Sequence, residues 1–378
     1  MELSSEDALR INVLLASSMH AVRIDESSMT LHALSGKGEA RVRLNPNCRD
    51  ETYLRCVRET LSSHVLGSPG GYPIYLKRWS RMGQARDEIL ESLLLLGEPE
   101  AVVAVVNAAG ITDEIARRAW WALQTAENAR CMLRQEAVVE GEMGPVLADF
   151  LVEFLPFEES AVDQIASVRL VLQAGLISDA TRLALWEKGK HKNTYYIGFL
   201  QSVPDNLPVD HAPGPAWAPH RDTLGQLAAA GNVFASQLSR LLDPAGQAFL
   251  GCLGSVLDKP ANQDVMVELL RALAGYFEPV RIDAQRHENM DEIAAIAALA
   301  GSAGVEAYGA HATRMNELTG AVPELLDHIH AMIFLSLLDE PVVNPIFSRT
   351  DAIGTVMRRK LKPVIEPVQQ QIAVLMNR

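Results

Sequence analysis

Apolar residues change their spacing twice near the start of this chain, and those changes divide it. From residue 22 to residue 44 they occupy every second position: Val22 and Ile24, then Met29, Leu31 and Ala33, then Ala40, Val42 and Leu44. A period of two lines one face of a pleated sheet, and Ser27-Ser28 and Gly36-Lys37-Gly38 supply the turns between the runs. The spacing predicts a small N-terminal three-stranded antiparallel β-meander. Ahead of it, residues 5–17 read as a helix capped by Ser4 or Ser5, with Leu9, Val13 and Leu14 as the stripe expected to pack on the sheet. Beyond Pro46 the spacing is three and four almost everywhere, so the fold class is mainly α.

A second helix is expected from Asp50 to Leu66, stopped by the run Gly67-Ser68-Pro69-Gly70-Gly71-Tyr72-Pro73. Later stripes are Ile89, Leu93 and Leu96, then Leu147, Phe150, Leu151 and Phe154, then Val162, Ile165, Val168 and Leu172. In Leu96-Gly97-Glu98-Pro99-Glu100-Ala101-Val102 a glycine ends one helix and a proline opens the next. Thr112 should cap the helix after that, with Asp113 and Glu114 at its positive end. Such punctuation resembles the turn of a HEAT-type helical repeat; an irregular helical bundle is the other reading, and the weak self-similarity leaves both open. Pro204, Pro208, Pro213, Pro215 and Pro219 forbid helix and central strand between them. The expected organisation is an α+β unit over 1–83, a helical region over 84–203, a proline-rich linker over 204–219 and a helical region over 220–378. Within the last, Ile293 to Ala300 reads as buried all round, Val265, Leu269, Ala272 and Tyr276 and then Leu326, Ile329, Ile333 and Leu337 form stripes, and Pro363 and Pro367 are expected to break the terminal helices.

With 48% hydrophobic and 21% charged residues the chain has the composition of a folded protein. Its net charge of −13 opposes nucleic-acid binding by the surface as a whole, which leaves that role to a local basic patch. Cys48, Cys56, Cys131 and Cys252 form no CxxC pair and read as reduced. The acidic start and the lack of an apolar run of membrane length give a cytoplasmic protein with no membrane role as the expectation.

Three places carry enough chemistry to weigh. The glycine-proline run is followed by Tyr75, Lys77, Arg78, Trp79 and Arg81, so that Gly70 and Gly71 bring flexible backbone beside a cluster of cations suited to an anion or a partner. The stretch matches neither GxxxxGK[ST] nor GxGxxG, and Asp87, Glu88 and Glu91 stand near enough to pair with its cations. On the meander, Arg23, Arg41 and Arg43 should share the solvent face, fit for solubility or for RNA or an acidic protein. At the end of the chain Arg358, Arg359, Lys360 and Lys362 make a basic segment, readable as a docking surface or as cations at a helix C-terminus.

Other candidates read as structural. Lys188, Lys190, His191 and Lys192 precede Tyr195 and Tyr196, which belong to a buried helix face more readily than to a base-stacking platform. His328 and His330 point about 200° apart on a helix, and Glu324 reaches only the first of them. Gly301-Ser302-Ala303-Gly304 lacks the strand that a nucleophile elbow needs. No catalytic residue, metal ligand or cofactor site is expected.

Five strings carry a family resemblance. Ser5-Glu6-Asp7-Ala8-Leu9-Arg10, Arg41-Val42-Arg43-Leu44-Asn45-Pro46-Asn47-Cys48-Arg49-Asp50-Glu51 and Leu66-Gly67-Ser68-Pro69-Gly70-Gly71-Tyr72-Pro73 resemble the sulfur reduction protein DsrS family, as do Leu76-Lys77-Arg78-Trp79 and Leu95-Leu96-Gly97-Glu98-Pro99-Glu100-Ala101-Val102-Val103. The likeness is clearest over the first third. It implies a cytoplasmic protein of sulfur-oxidising bacteria, encoded with the reverse dissimilatory sulfite reductase (dsr) system, regulatory to it and without an established activity. Four scattered cysteines offer no iron–sulfur or sirohaem ligation. The functional expectation is thus a non-enzymatic accessory protein that binds another protein. Two alternatives stand beside it: an enzyme of unknown class holding a small anionic molecule at the Gly67–Arg81 loop, and an RNA-binding regulator.

Overall fold

The structure, a computed structural model, describes residues 3–67, 87–282, 286–302, 305–349 and 352–377. It divides into two compact units, Met1–Phe154 and Leu155–Arg378. The candidate residues Gly70, Gly71, Tyr75, Lys77, Arg78, Trp79 and Arg81 lie outside the described residues.

The first unit opens with α1 (Ser5–Leu15), whose first turn is capped by the Ser4 hydroxyl accepting from the Asp7 amide. Its buried face is Asp7, Ile11 and Leu15, while Leu9 and Val13 are 66% and 65% exposed. Of the expected stripe Leu9, Val13 and Leu14, only Leu14 packs on the core. The helix turns instead to bury the Asp7 carboxylate, which accepts from the Tyr53 hydroxyl at 2.5 Å and the Asn45 amide at 2.7 Å.

Three strands follow, β1 (Met19–Asp25), β2 (Thr30–Ser35) and β3 (Gly38–Arg43), paired antiparallel in the order β1-β2-β3. Their register aligns Ile24, Leu31 and Val42 in one row and Val22, Ala33 and Ala40 in the next. These rows form the inner face predicted from the period of two. They pack on Ile11 and Leu15 and on Tyr53, Leu54, Val57 and Leu61 of α2 (Asp50–Leu66). Each fully buried valine, leucine or isoleucine among them stabilises the unit by about 1.5–3 kcal/mol.

The Val22 amide, on the outer edge of β1, donates to the Leu94 carbonyl at 2.8 Å, so the segment after α3 (Asp87–Leu93) closes that edge. Gly97 makes the approach possible. Its φ of 66° suits glycine, and a Cβ there would stand 3.1 Å from the Ile24 Cδ1. Pro99 then opens α4 (Pro99–Val106), and Thr112 caps α5 (Asp113–Ala122) by accepting from the Ile115 amide, both as expected. The unit ends with α6 (Ala126–Met132), α7 (Glu136–Val139) and α8 (Met143–Phe154).

In the second unit, Ser160, Ser178, Asn232, Asp243, Asn262 and Asn289 cap α9 (Ala161–Val171), α10 (Asp179–Gly189), α13 (Val233–Leu242), α14 (Pro244–Asp258), α15 (Gln263–Phe277) and α16 (Met290–Ala297) through their side-chain oxygens. The remaining helices are α11 (Asn193–Ser202), α12 (Trp217–Ala229), α17 (Ala312–Ala321), α18 (Leu326–Ser336), α19 (Asn344–Phe347) and α20 (Gly354–Leu375). Here α11 packs on α15, α15 on α18 and α18 on α20. A solenoid restricts contact to neighbouring repeats, so this unit is an irregular bundle. At the crossing of α9 with α11 a Cβ on Gly198 would come 2.6 Å from the Val168 Cβ. Between α11 and α12, residues 203–216 hold neither helix nor strand and lie within this unit, but the helix-free stretch ends short of the expected 219: Pro219 sits in the first turn of α12, where its missing N–H has no intrahelical partner to lose.

Two expectations fail in this unit. The stretch Ile293 to Ala300 buries only Ile293, Ala297 and Ala300, a single face. Pro363 and Pro367 do not break the last helix, which runs unbroken from Gly354 to Leu375. The carbonyls that lose an N–H partner are those of Arg359 and Pro363; both of these residues are exposed, so water replaces the missing donors, while Met357, Leu361, Val364, Val368 and Ile372 keep the opposite face in the core. Among the described residues no single helix is long and apolar enough to cross a membrane.

A stacked triple holds the middle of the second unit. The Arg240 guanidinium lies 3.8 Å from the centre of the Tyr276 ring, and Phe249 stacks on that ring at 3.7 Å. Asp205 clamps the same guanidinium through two bonds of 2.7 and 2.6 Å. The Tyr276 hydroxyl is buried with no partner among the described residues, and burial pushes its phenol above the ordinary range. Tyr276→Phe keeps the stack and removes the orphan, so it is expected to raise stability by about 1 kcal/mol. A urea midpoint that moves up at unchanged slope checks this.

Candidate functional site

The basic segment at the end of the chain occupies the first half of α20. Met357 and Leu361 face inward and fix the rotation of the helix, which turns Val356, Arg359, Lys360 and Lys362 outward. Arg358 is half-buried and donates to the Thr355 hydroxyl at 3.1 Å. Lys362 pairs with Glu366 one turn on at 3.6 Å. Arg359 and Lys360 are exposed and form no ion pair with a described residue. Beside them Ile353 is 72% and Val356 46% exposed.

Position on the helix decides between the two readings of these cations. Stabilisation by the helix dipole requires positive charge in the last turn, and a helix ending at Lys362 would have provided it. Because α20 continues for 13 further residues to Leu375, the cations stand far from its last turn, where the dipole gives them no support. Capping no longer accounts for them. A surface that keeps unpaired cations next to exposed isoleucine and valine suits an anionic macromolecule with some apolar contact.

The solvent face of the meander forms a second charged array. Arg23, His32 and Arg41 lie in one cross-strand row. The Glu39 carboxylate sits among them, 2.7 Å from His32 Nδ1, 3.3 Å from Arg41 Nε and 3.5 Å from Arg23. Trp121, from the end of α5, donates its indole N–H to the same carboxylate at 3.4 Å, and the Arg23 guanidinium lies 4.8 Å above its ring. The His32 hydrogen bond, then Trp121 and the two arginines, hold Glu39 below the usual carboxylate range. The three arginines share this face as expected. The link of this face to Trp121 was not expected, because Glu39 and Trp121 are 82 residues apart in the sequence and no local spacing signals it.

The aromatic stretch after Trp186 is packing. Tyr195 is buried, and Tyr196 lies 4.5 Å from the Trp186 ring, so neither face is open to a base. Glu324 pairs with His220 at 2.6 Å and not with His328, which meets Asn377 at 2.9 Å; His330 meets the Ala300 carbonyl. Among the described residues no group of three or more His, Cys, Asp or Glu could hold a metal. A groove of about 440 Å³ runs between α14 and α20, lined by Gly251, Gly254, Ser255 and Ile372 and closed at one end by Asp258, which accepts from Gln369.

No protein-family model matches the chain, and neither does any curated protein or any solved structure.

Proposed function

We propose that this chain is a non-enzymatic accessory or regulatory protein that works by docking an anionic partner protein, with the first half of α20 as the contact. The observation that carries this reading is the placement of exposed Arg359 and Lys360, unpaired among the described residues, with exposed Ile353 and Val356, on the first half of a helix far from the last turn where cations would serve as a cap. The resemblance to the DsrS family supports bacterial sulfur oxidation as the process served.

The test is affinity capture from native lysate of a source organism, with and without nuclease. Partner recovery is expected to fall about tenfold for Arg359→Glu/Lys360→Glu and to weaken with salt, as it does when contact charges are reversed. Recovery unchanged by the double substitution would overturn the proposal. Recovery abolished by nuclease would replace the protein partner with RNA.

A further inference from the structure

The meander has two outer edges, and they are treated differently. On β1 the outward Val22 amide is taken up by Leu94, and the register shifts between Met19 and Ala21. On β3 the register against β2 is regular from Gly38 to Arg43, with no bulge and no proline. Antiparallel ladders alternate hydrogen-bonded and non-bonded pairs, and the Leu44 amide donates to the Met29 carbonyl. Counting back by two, Val42, Ala40 and Gly38 bond inward to β2. The peptide groups of Glu39, Arg41 and Arg43 therefore point away from the sheet. The same alternation places the Val22 amide outward on β1, where it does meet Leu94. No described residue hydrogen-bonds to the outward groups of β3.

The side chains of Glu39, Arg41 and Arg43 all rise from the solvent face, about 7 Å apart at successive positions, with Arg23 roughly 10 Å across the sheet. Charge here is predominantly positive. Glu39 is already shared by His32, Arg23, Arg41 and Trp121, and Asp25 is consumed by the hydroxyls and amides of Ser28 and Ser27 in its own turn. Edge strands are commonly guarded against aggregation by mobile charges, lysine above all. Two of the charges here are held by neighbours: Arg23 lies over Trp121, and Arg41 is tied by its Nε, which leaves its terminal nitrogens outward on a side chain 71% exposed, while Arg43 stands exposed beside it. Arginine offers carboxylates a planar fork. On the inner side, α1 packs against β3 and shows Leu9 and Val13 to solvent.

We infer that the outer edge of β3, unbonded among the described residues, receives an extended segment of a partner protein in which acidic residues alternate with apolar ones. The segment adds a fourth strand by exchanging main-chain hydrogen bonds with Glu39, Arg41 and Arg43. Its acidic side chains meet the Arg41 and Arg43 guanidinia, and its apolar ones fall on the opposite face, on the side of α1. This site is in the first unit and stands independently of the contact proposed on α20, so α20 variants leave it intact.

The test is fluorescence anisotropy of a labelled decapeptide of alternating Glu and Val against the full chain. Binding is expected, weaker at high salt, and at least about tenfold weaker for Arg41→Glu/Arg43→Glu. A peptide of the same sequence N-methylated at alternate residues should bind at least about tenfold more weakly, because it keeps the charges but loses edge bonding. Absence of binding, equal binding by the N-methylated peptide, or indifference to the double substitution each overturns the proposal. So does a dimer of the free chain that Arg41→Glu dissolves, which would assign the edge to a second copy. Both arginines being exposed, an unchanged urea transition shows that the variant remains folded.

Discussion

Asp7→Ala is expected to destabilise the first unit by about 3–4 kcal/mol, more than any single charge removal on its surface. The carboxylate is fully buried and accepts from the Tyr53 hydroxyl at 2.5 Å and the Asn45 amide at 2.7 Å. Tyr53 is itself buried, and Ser4 completes the network through its amide and hydroxyl. Removing the acceptor strands two donors in a dry site, while the alanine fills little of the space. Burial, followed by the Asp7 hydrogen bond, pushes the Tyr53 phenol above its ordinary range, so the phenol stays a donor well into alkaline solution. Asp7→Asn keeps an acceptor oxygen but brings in an amide that finds no matching acceptor in the network, and should cost about half as much. Peptide-resolved hydrogen exchange checks the result. Faster exchange across α1 and α2, with the second unit unchanged, is the expected pattern; protection in α1 equal to that of the wild type would refute it.

That network also explains where reading the sequence succeeded. The meander and the limits of α2 follow from signals contained within a few residues: the alternation at Val22, Ile24, Leu31 and Val42, and the breakers after Leu66. The caps at Ser4 and Thr112 are equally local. The buried face of α1 is not. Leu9 and Val13 form as good a stripe as Ile11 and Leu15, and the choice is made by Asp7, whose partners lie 38 and 46 residues away. On α20 the cluster of cations was legible, but its place in the helix was not, because prolines that stop a solvated helix are tolerated where neighbours hold one face and water meets the other. Glu39 and Trp121 carried no signal at all: the amphipathic period of α5 puts Trp120 in the core and says only that Trp121 points elsewhere.

Helix α14 offers the second large effect, because its glycines face opposite constraints. Gly246 stands in the first turn, after the Asp243 cap and Pro244, where the chain leaves α13. A Cβ added there would run into the carbonyl oxygen of Arg240 and come 2.6 Å from the Leu241 Cα. Both obstacles are backbone, and α13 cannot retreat, because Leu238, Leu241 and Leu242 are buried and Arg240 is held by Asp205 and Tyr276. Gly246→Ala is therefore expected to cost about 3 kcal/mol or more, as overpacking against an immobile wall does. Gly254 lies in the same helix on the groove facing α20, and its nearest neighbour for a Cβ is the Ile372 Cγ2 at 4.0 Å. Gly254→Ala meets no obstacle and removes a flexible residue from a helix interior, so it should raise stability by about 0.5–1 kcal/mol. Urea midpoints of the two variants moving in opposite directions check the pair, and a loss of stability in both would mean that α14 and α20 lie closer than their groove implies.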